Sequence, residues 1–410
     1  MPGLRVSAFF LLSLVASMAV SQDISWDTTA LHRSYLFTVA PGVEGEFYCI
    51  GDTVVYRSTD EGATWTIVGS VHLSAQRLAV GPTGILYAGD VALGVHRSTD
   101  GGTSWSGNLA AEGCNSLATH PDGYVFAGLT YTGNGKVHRS TNAGLSWTGV
   151  QLPNATNSFA TECFAFGSPG LVYAGTINGF YKSTDFGVSW MQSNTGLSGT
   201  HVRVMTVTPD QTIYIYTIFS STIDGFYKST DRGESWQRIQ GNAPYFTSLT
   251  SSGNGVLYGT SSEALWRSED SGVTWVNVSA TLGTNPQLTS VVITPEGRIL
   301  LCGHYLYRSR TTLTGVPEPG SMATGFSLDQ NFPNPFNPTT SFGFRIPAFS
   351  FVSLKVYDIL GREVATIVDE VLPPGSYARN FNGTGLASGI YTCRLRQGEQ
   401  VATRRLVLVK

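Results

Sequence analysis

The chain has 410 residues, and charged residues make up only 13% of it, about half the usual share. Its 47 glycines and its 41% hydrophobic and 11% aromatic content argue for a packed all-β protein and against a disordered one. A formal net charge of -3 gives no electrostatic reason to expect nucleic acid or an acidic membrane surface as partner.

The first residues read as an export signal. Arg5 precedes the apolar run Ala8 to Val20, and small residues lead up to a cut before Gln22, so residues 1–21 form the expected signal peptide. The run is too short to span a bilayer comfortably. No later stretch is long and apolar enough, so no transmembrane segment is expected after cleavage.

From residue 58 one pattern, Ser-x-Asp-x-Gly-x-x-Trp, recurs six times. The first copy holds Ser58, Asp60, Gly62 and Trp65. The others carry Asp100 and Trp105, Asn142 and Trp147, Asp185 and Trp190, Asp231 and Trp236, and Asp270 and Trp275. An eroded seventh copy begins at Ser309, and successive serines lie 40, 42, 43, 46, 39 and 41 residues apart. A period of about 40 with no helical signal predicts a propeller with one four-stranded blade per repeat. Each box is the expected hairpin between strands three and four. Its Ser and Asp accept backbone N–H groups, its Gly permits positive φ, and its Trp covers the sheet while the indole N–H bonds to backbone. Asn142 can accept the same bonds as Asp. The fold expected over residues 22–312 is therefore a seven-bladed β-propeller. Blade seven lacks a fourth strand of its own. Ile24-Ser25-Trp26 resembles the segment after each box, so residues 23–30 are expected to supply that strand and close the ring.

These boxes resemble the Asp box, or bacterial neuraminidase repeat, of sialidases, sortilin-type receptors, xyloglucan-degrading glycosidases and photosystem II assembly-factor propellers. The resemblance covers residues 23 to 315. It implies a structural role for the boxes and assigns no activity, since unrelated functions share the fold.

Residues 313–325 (LTGVPEPGSMATG) read as a linker. Short alternating strands then follow over 326–410, which suggests a small Ig-like sandwich. This segment resembles the type IX secretion C-terminal sorting domain of Bacteroidetes-like bacteria, through Gln330 to Thr340, Val356 to Val364, Leu386 to Tyr391 and the terminal Thr403 to Lys410. The resemblance implies a partner, the type IX secretion machinery, engaged through 326–410, and a secreted or outer-membrane-surface location.

Phe344-Arg345-Ile346-Pro347 spells the FRIP motif of sialidases, whose arginine grips a carboxylate. It follows every box and sits in a strand of the sorting module, which marks it as coincidence. Arg57, Arg97, Arg139, Arg267 and Arg308 each directly precede a box serine, with Lys182 and Lys228 in the remaining copies, so they are expected to do one repeated structural job. Arg33, Arg77 and Arg203 are left as cations outside the repeat. At the start of the inner strands Arg77, Glu162, His201 and Arg203 stand where other blades carry something else, with Gln76 and Asn115 beside them. These four are the candidate binding residues at the channel rim, with longer two-to-three loops expected over 130–135 and 219–224. No catalytic residue, metal site or cofactor is assigned.

Five cysteines match no zinc or redox spacing. Cys49 and Cys302 are aligned with Ala88, Ala127 and Ala174. Equivalent strands of adjacent blades lie about 10 Å apart, which favours small buried residues over the alternative, a disulfide joining the neighbouring first and last blades.

Three functions fit. The favoured one is a secreted or cell-surface non-catalytic propeller that binds an extracellular protein or glycan. The alternatives are a sialidase-like or xyloglucanase-like glycoside hydrolase using the channel face, and an assembly helper. A glycosidase needs two opposed carboxylates, and none can be assigned from the sequence.

Overall fold

The computed structural model describes residues 24–28, 36–43, 45–72, 74–107, 113–129, 135–155, 160–167, 170–219, 222–313, 326–331, 334–346, 350–372, 375–398 and 400–409. The expected signal peptide, Arg33, residues 314–325 and the loop residues 130–134 lie outside the described residues. Among the described residues every regular element is a β-strand, and no helix is long and apolar enough to cross a membrane.

Seven sheets follow one another. Their first strands are Leu36–Pro41, Ala75–Val80, Cys114–Thr119, Thr161–Phe166, His201–Val207, Ser248–Ser251 and Ser290–Ile293. Sheets 1 to 7 are numbered in that order. Each runs antiparallel from its first strand outward, and six reach four strands; in sheet 2 the fourth is the single bridge Arg97↔Ser106. Burial follows this order. Second strands such as Phe47–Gly51, Leu86–Asp90, Val125–Leu129 and Val172–Thr176 are buried throughout. Fourth strands such as Thr148–Gln151 and Val276–Asn277 are largely exposed. Near-continuous apolar runs are what a strand covered on both faces requires. The first strands neighbour one another in cyclic order, sheet 1 to sheet 2 and on to sheet 7, which returns to sheet 1. The arrangement is propeller-like.

The first and last strands of these seven sheets meet in sheet 7. Trp26–Thr28 pairs antiparallel with Leu306–Ser309, with Trp26 opposite Ser309 and Thr28 opposite Tyr307. Ile24 N donates to Val278 O at 3.2 Å and Arg310 N to Ser25 O at 2.8 Å. The closing strand expected at 23–30 is found at Trp26–Thr28.

The boxes are cross-braced turns. Ser98 Oγ donates to Asp100 Oδ1 at 2.8 Å and accepts Gly102 N at 2.9 Å, while Ser104 N donates to Asp100 Oδ1 at 2.9 Å. In the third box Asn142 Oδ1 accepts from Ser140 Oγ and Ser146 N in the same way. Each turn also rests on the preceding sheet. A Cβ on Gly233, at φ 80°, would come within 2.6 Å of Phe180. Trp65, Trp105 and Trp275 donate Nε1 to the carbonyl of their own box glycine, whereas Trp236 donates to Ser193 O at 2.9 Å. The Trp147 and Trp190 indoles, expected to bond to backbone, have no partner among the described residues.

Two expectations need correction. The segment 219–224 is not a long loop: Ile213–Phe219 and Thr222–Ser229 form one extended hairpin, with Phe219 opposite Thr222. The cysteine alignment is one residue out. Leu300 faces Arg308 as Tyr87 faces Arg97 and Tyr48 faces Arg57. Leu301 therefore occupies the place of Cys49 and Ala88, and Cys302 that of Ile50 and Gly89. Cys49 Sγ and Cys302 Sγ lie 3.5 Å apart. Equivalent positions in adjacent sheets lie about 10 Å apart, but these two are offset by one and face each other.

After residue 326 two sheets share one core. One holds Ser327–Leu328, Thr339–Ile346 and Gly375–Asn382; the other holds Glu363–Leu372, Ser350–Tyr357, Gly389–Gln397 and Gln400–Leu408. Phe342, Phe344 and Ile346 of the first pack with Val352, Leu354, Val356, Cys393 and Leu395 of the second.

Candidate functional site

The inner strands begin with a repeated irregularity. In sheet 1 the register slips between Leu36 and Thr38, in sheet 2 between Ala75 and Arg77, in sheet 4 between Thr161 and Cys163, and in sheet 5 between Val202 and Val204. In sheet 3 the partners of Cys114 and Ser116 are consecutive, Leu129 and Gly128. Each slip leaves one unpaired residue: Phe37, Gln76, Asn115, Glu162 and Arg203. A bulge bends its strand and re-aims a side chain. Here it does so at the same end of five sheets.

A cavity of about 450 Å³ opens at that end, and its lining includes Phe37, Gln76, Arg77, Glu162 and Arg203. Arg203 Nη1 donates to Glu162 Oε2 at 2.5 Å. His201 Nε2 stands 3.6 Å from Glu162 Oε1, longer than a hydrogen bond, as an electrostatic neighbour. Burial pushes the Glu162 carboxyl upward, but His201 and Arg203 more than offset it, and its pKa lies below the usual carboxylate value. Burial pulls the Arg203 guanidinium down, and Glu162 together with Tyr245 reverses the shift. The structure thus brings Glu162, His201 and Arg203 into one linked group across sheets 4 and 5.

Arg77 reaches the cavity from sheet 2. Its Nε donates to Asn115 O of sheet 3 at 2.7 Å. Burial, the largest influence, and the nearby Arg203 charge both lower its pKa, yet an arginine stays charged at every accessible pH. Among the described residues Arg77 forms no ion pair. Glu162 is the one carboxylate among the described lining residues. Two guanidinium groups face one carboxylate, so the cavity carries an excess positive charge. Among the described residues no group of three His, Cys, Asp or Glu side chains is placed to hold a metal ion.

The repeated cations sit elsewhere. Arg97 Nε donates to Ala143 O and Arg308 Nε to Glu61 O, both at 2.8 Å, each tying one sheet to the box of the next. Lys182 reaches Glu234 in the box of sheet 5. Arg57 and Arg267 depart from that job and pair with Glu46 and Glu269. Arg345 lies on the exposed side of Thr339–Ile346, opposite Ser327 and Ser376, outside the seven sheets. The sequence picked out Arg77, Glu162, His201 and Arg203 but not the bulges that orient two of them. A one-residue slip leaves no mark in a hydrophobic pattern.

Residues 330–410 match the family described as the secretion system C-terminal sorting domain. The chain therefore carries a type IX sorting tail, which marks it for the secretion machinery and for release or display at the surface of a Bacteroidetes-type bacterium. No curated protein matches the chain. Among solved structures it is similar to PorZ, an essential bacterial surface component of the type IX secretion system of Porphyromonas gingivalis, at 15% identity and a TM-score of 0.53, covering 92% of this chain and 60% of that one. The chain thus spans less than two thirds of PorZ. It is also similar to virginiamycin B lyase from Staphylococcus aureus (12% identity, TM-score 0.58, 70% of this chain and 98% of that one) and to YCF48 bound to D1 peptide (16%, 0.54, 70% and 97%). At such identities the likeness establishes an all-β, propeller-like fold and nothing of activity.

Proposed function

We propose that residues 22–312 form a seven-bladed Asp-box propeller, joined by a linker at 313–325 to an Ig-like sorting module over 326–410, and that the propeller is an exported, non-catalytic binding protein. Its site is the cavity at the bulged ends of the inner strands, and its ligand is an extracellular protein or glycan presenting an anionic group. One observation carries this reading: the half-buried Arg77 guanidinium faces the cavity with no carboxylate paired to it among the described residues. Arginine is suited to bind a carboxylate or sulfate by paired hydrogen bonds. Glu162 is already engaged by Arg203, and glycosidase chemistry needs two working carboxylates, which supports binding over hydrolysis. The likeness to PorZ supports a surface role. The boxes, on this view, staple each blade to its neighbour.

The test is an array of acidic and neutral glycans and peptides probed with the full chain, beside a hydrolysis assay on every hit. Acidic ligands are expected to bind without turnover, and Arg77→Gln, at unchanged melting temperature, to weaken binding by about tenfold or more. Turnover of a bound glycan, or binding indifferent to Arg77→Gln, would overturn the proposal.

A further inference from the structure

All five cysteines are free in this structure, but two of them are arranged unlike the others. Cys49 lies in the second strand of sheet 1 and Cys302 in the second strand of sheet 7, the sheets that meet where the ring closes. Both are fully buried in one apolar cluster with Leu36, Val39, Phe47 and Leu300. Successive residues of a strand point to opposite faces. The position of Cys302 points toward the following sheet: its counterpart Gly89 would, with a Cβ, come within 2.9 Å of Cys114 in sheet 3. The position of Cys49 points back, as Ala88 does in packing with Ile50 of sheet 1. The other junctions place a pair such as Ile50 with Ala88, or Gly89 with Ala127, at this point. Among the described residues, only the closing junction places two thiols there, 3.5 Å apart.

Main-chain bonds hold the pair in place. Leu36 N donates to Gly303 O at 3.1 Å, directly after Cys302, and Thr289 Oγ1 donates to Leu36 O at 3.0 Å. The sulfurs stand 3.5 Å apart, against about 2.05 Å in a disulfide. A chain that carries this sorting tail is destined for the cell exterior, by way of compartments where disulfides form and persist.

We infer that Cys49 and Cys302 form a disulfide that closes the ring covalently, joining residues 253 positions apart at the junction of the seventh sheet with the first. The reaction is thiol–disulfide exchange with a disulfide donor of the periplasm. One cysteine thiolate attacks the donor to give a mixed disulfide, and the second thiolate displaces the donor sulfur. Two cysteine S–H bonds and the donor S–S bond are lost, one protein S–S bond forms, and the donor leaves as two thiols carrying the two protons and two electrons. Burial and the facing Cys49 keep the Cys302 thiol protonated far above neutral pH in the closed, reduced ring. The exchange therefore belongs to the chain before closure, when both sulfurs are accessible.

The test is refolding of the full chain in a mixture of oxidised and reduced glutathione, followed by alkylation in denaturant and peptide mass spectrometry. The refolding is done in vitro, so the result does not depend on export. Three alkylated cysteines are expected, Cys114, Cys163 and Cys393, with the Cys49 and Cys302 peptides linked and lighter by two hydrogens. Prior reduction should give five alkylated cysteines, and Cys49→Ala or Cys302→Ala should each give four. Reductant should lower the melting temperature of the wild-type chain and leave that of Cys302→Ala unchanged. Five alkylated cysteines in the oxidised wild type, a link through Cys114, Cys163 or Cys393, or a wild-type melting temperature indifferent to reductant would each overturn the inference.

Discussion

Replacing Trp26 by alanine isolates the contribution of the closing strand. Trp26 is 7% exposed and packs with Leu265, Val278, Ile299 and Tyr307, so the substitution empties a site shared by sheets 6 and 7. Its indole N–H has no acceptor among the described residues, so no hydrogen bond is lost and the cost is one of burial and cavity. Emptying a buried tryptophan site costs about 3–5 kcal/mol. For a unit of this size that is a melting temperature lower by roughly 6–20 °C. The Arg310–Asp27 ion pair beside it is largely exposed on both sides and contributes no more than about 1 kcal/mol, so Asp27→Ala serves as the mild control. Thermal unfolding of both variants and hydrogen exchange at Leu306–Ser309 give the answer. Trp26→Ala should melt early, exchange those amides quickly and associate through the freed edge. A Trp26→Ala protein that melts like wild type, stays monomeric and keeps Leu306–Ser309 protected would refute closure by this strand.

Trp236→Ala should destabilise by about 3–5 kcal/mol, because Trp236 is 4% exposed, bonds to Ser193 O and meets Phe180 edge-on at 4.7 Å. The half-buried Trp105 should cost about half as much on the same substitution, and equal losses in urea unfolding would refute the burial argument. Acid should unfold the protein through its boxes. Hydrogen bonds from Ser104 and Ser98 hold Asp100 at about 2, and at Asp231 bonds from Ser229 and Ser235 outweigh burial and give the same value. Folded pKa values below the ordinary 3.8 mean that this stability is complete above about pH 4 and is lost as pH falls toward about 2. Melting temperature should follow that curve, and Asp100→Asn, which mimics the native Asn142 box, should blunt it. Deleting residues 326–410 should leave the protein in the periplasm with ligand binding intact, as shown by fractionation. Arg345→Ala should leave both ligand binding and any glycan activity unchanged, and loss of a sialidase activity there would return the FRIP string to consideration.

The local features were legible because they are written in consecutive residues. Ser98, Asp100 and Gly102 close one turn through bonds spanning at most four positions, so a repeat of the pattern is a repeat of the turn. The closing strand was legible for the same reason, from Ile24-Ser25-Trp26. What escaped depends on pairing between strands. The bulges at Glu162 and Arg203 are single-residue slips that hydrophobic periodicity does not register. Cys302 stands one column out for a different reason: the hairpin after it is one residue shorter, with Cys302 opposite Leu306 where Ile50 is opposite Val55, and this hid its approach to Cys49. The second hairpin of sheet 5 extends to Phe219 and Thr222 where polar residues suggested a loop, because backbone pairing there overrides composition. Arg77, Glu162, His201 and Arg203 could be selected as exceptions to the repeat, but the excess positive charge they create emerges only once Arg203 is seen to occupy Glu162.

The central claim is that ligands bind at the bulged mouth of the ring and not on the box face. The direct measurement is the affinity of one acidic ligand from the array, by titration calorimetry, for wild type, Arg77→Gln, and a box-tip variant combining Leu145→Ser with Val188→Ser, two exposed apolar residues of that opposite face. The account predicts a loss of about tenfold or more for Arg77→Gln and wild-type affinity for the box-tip variant. Wild-type affinity in Arg77→Gln together with a loss in the box-tip variant would place the ligand on the other face and contradict it.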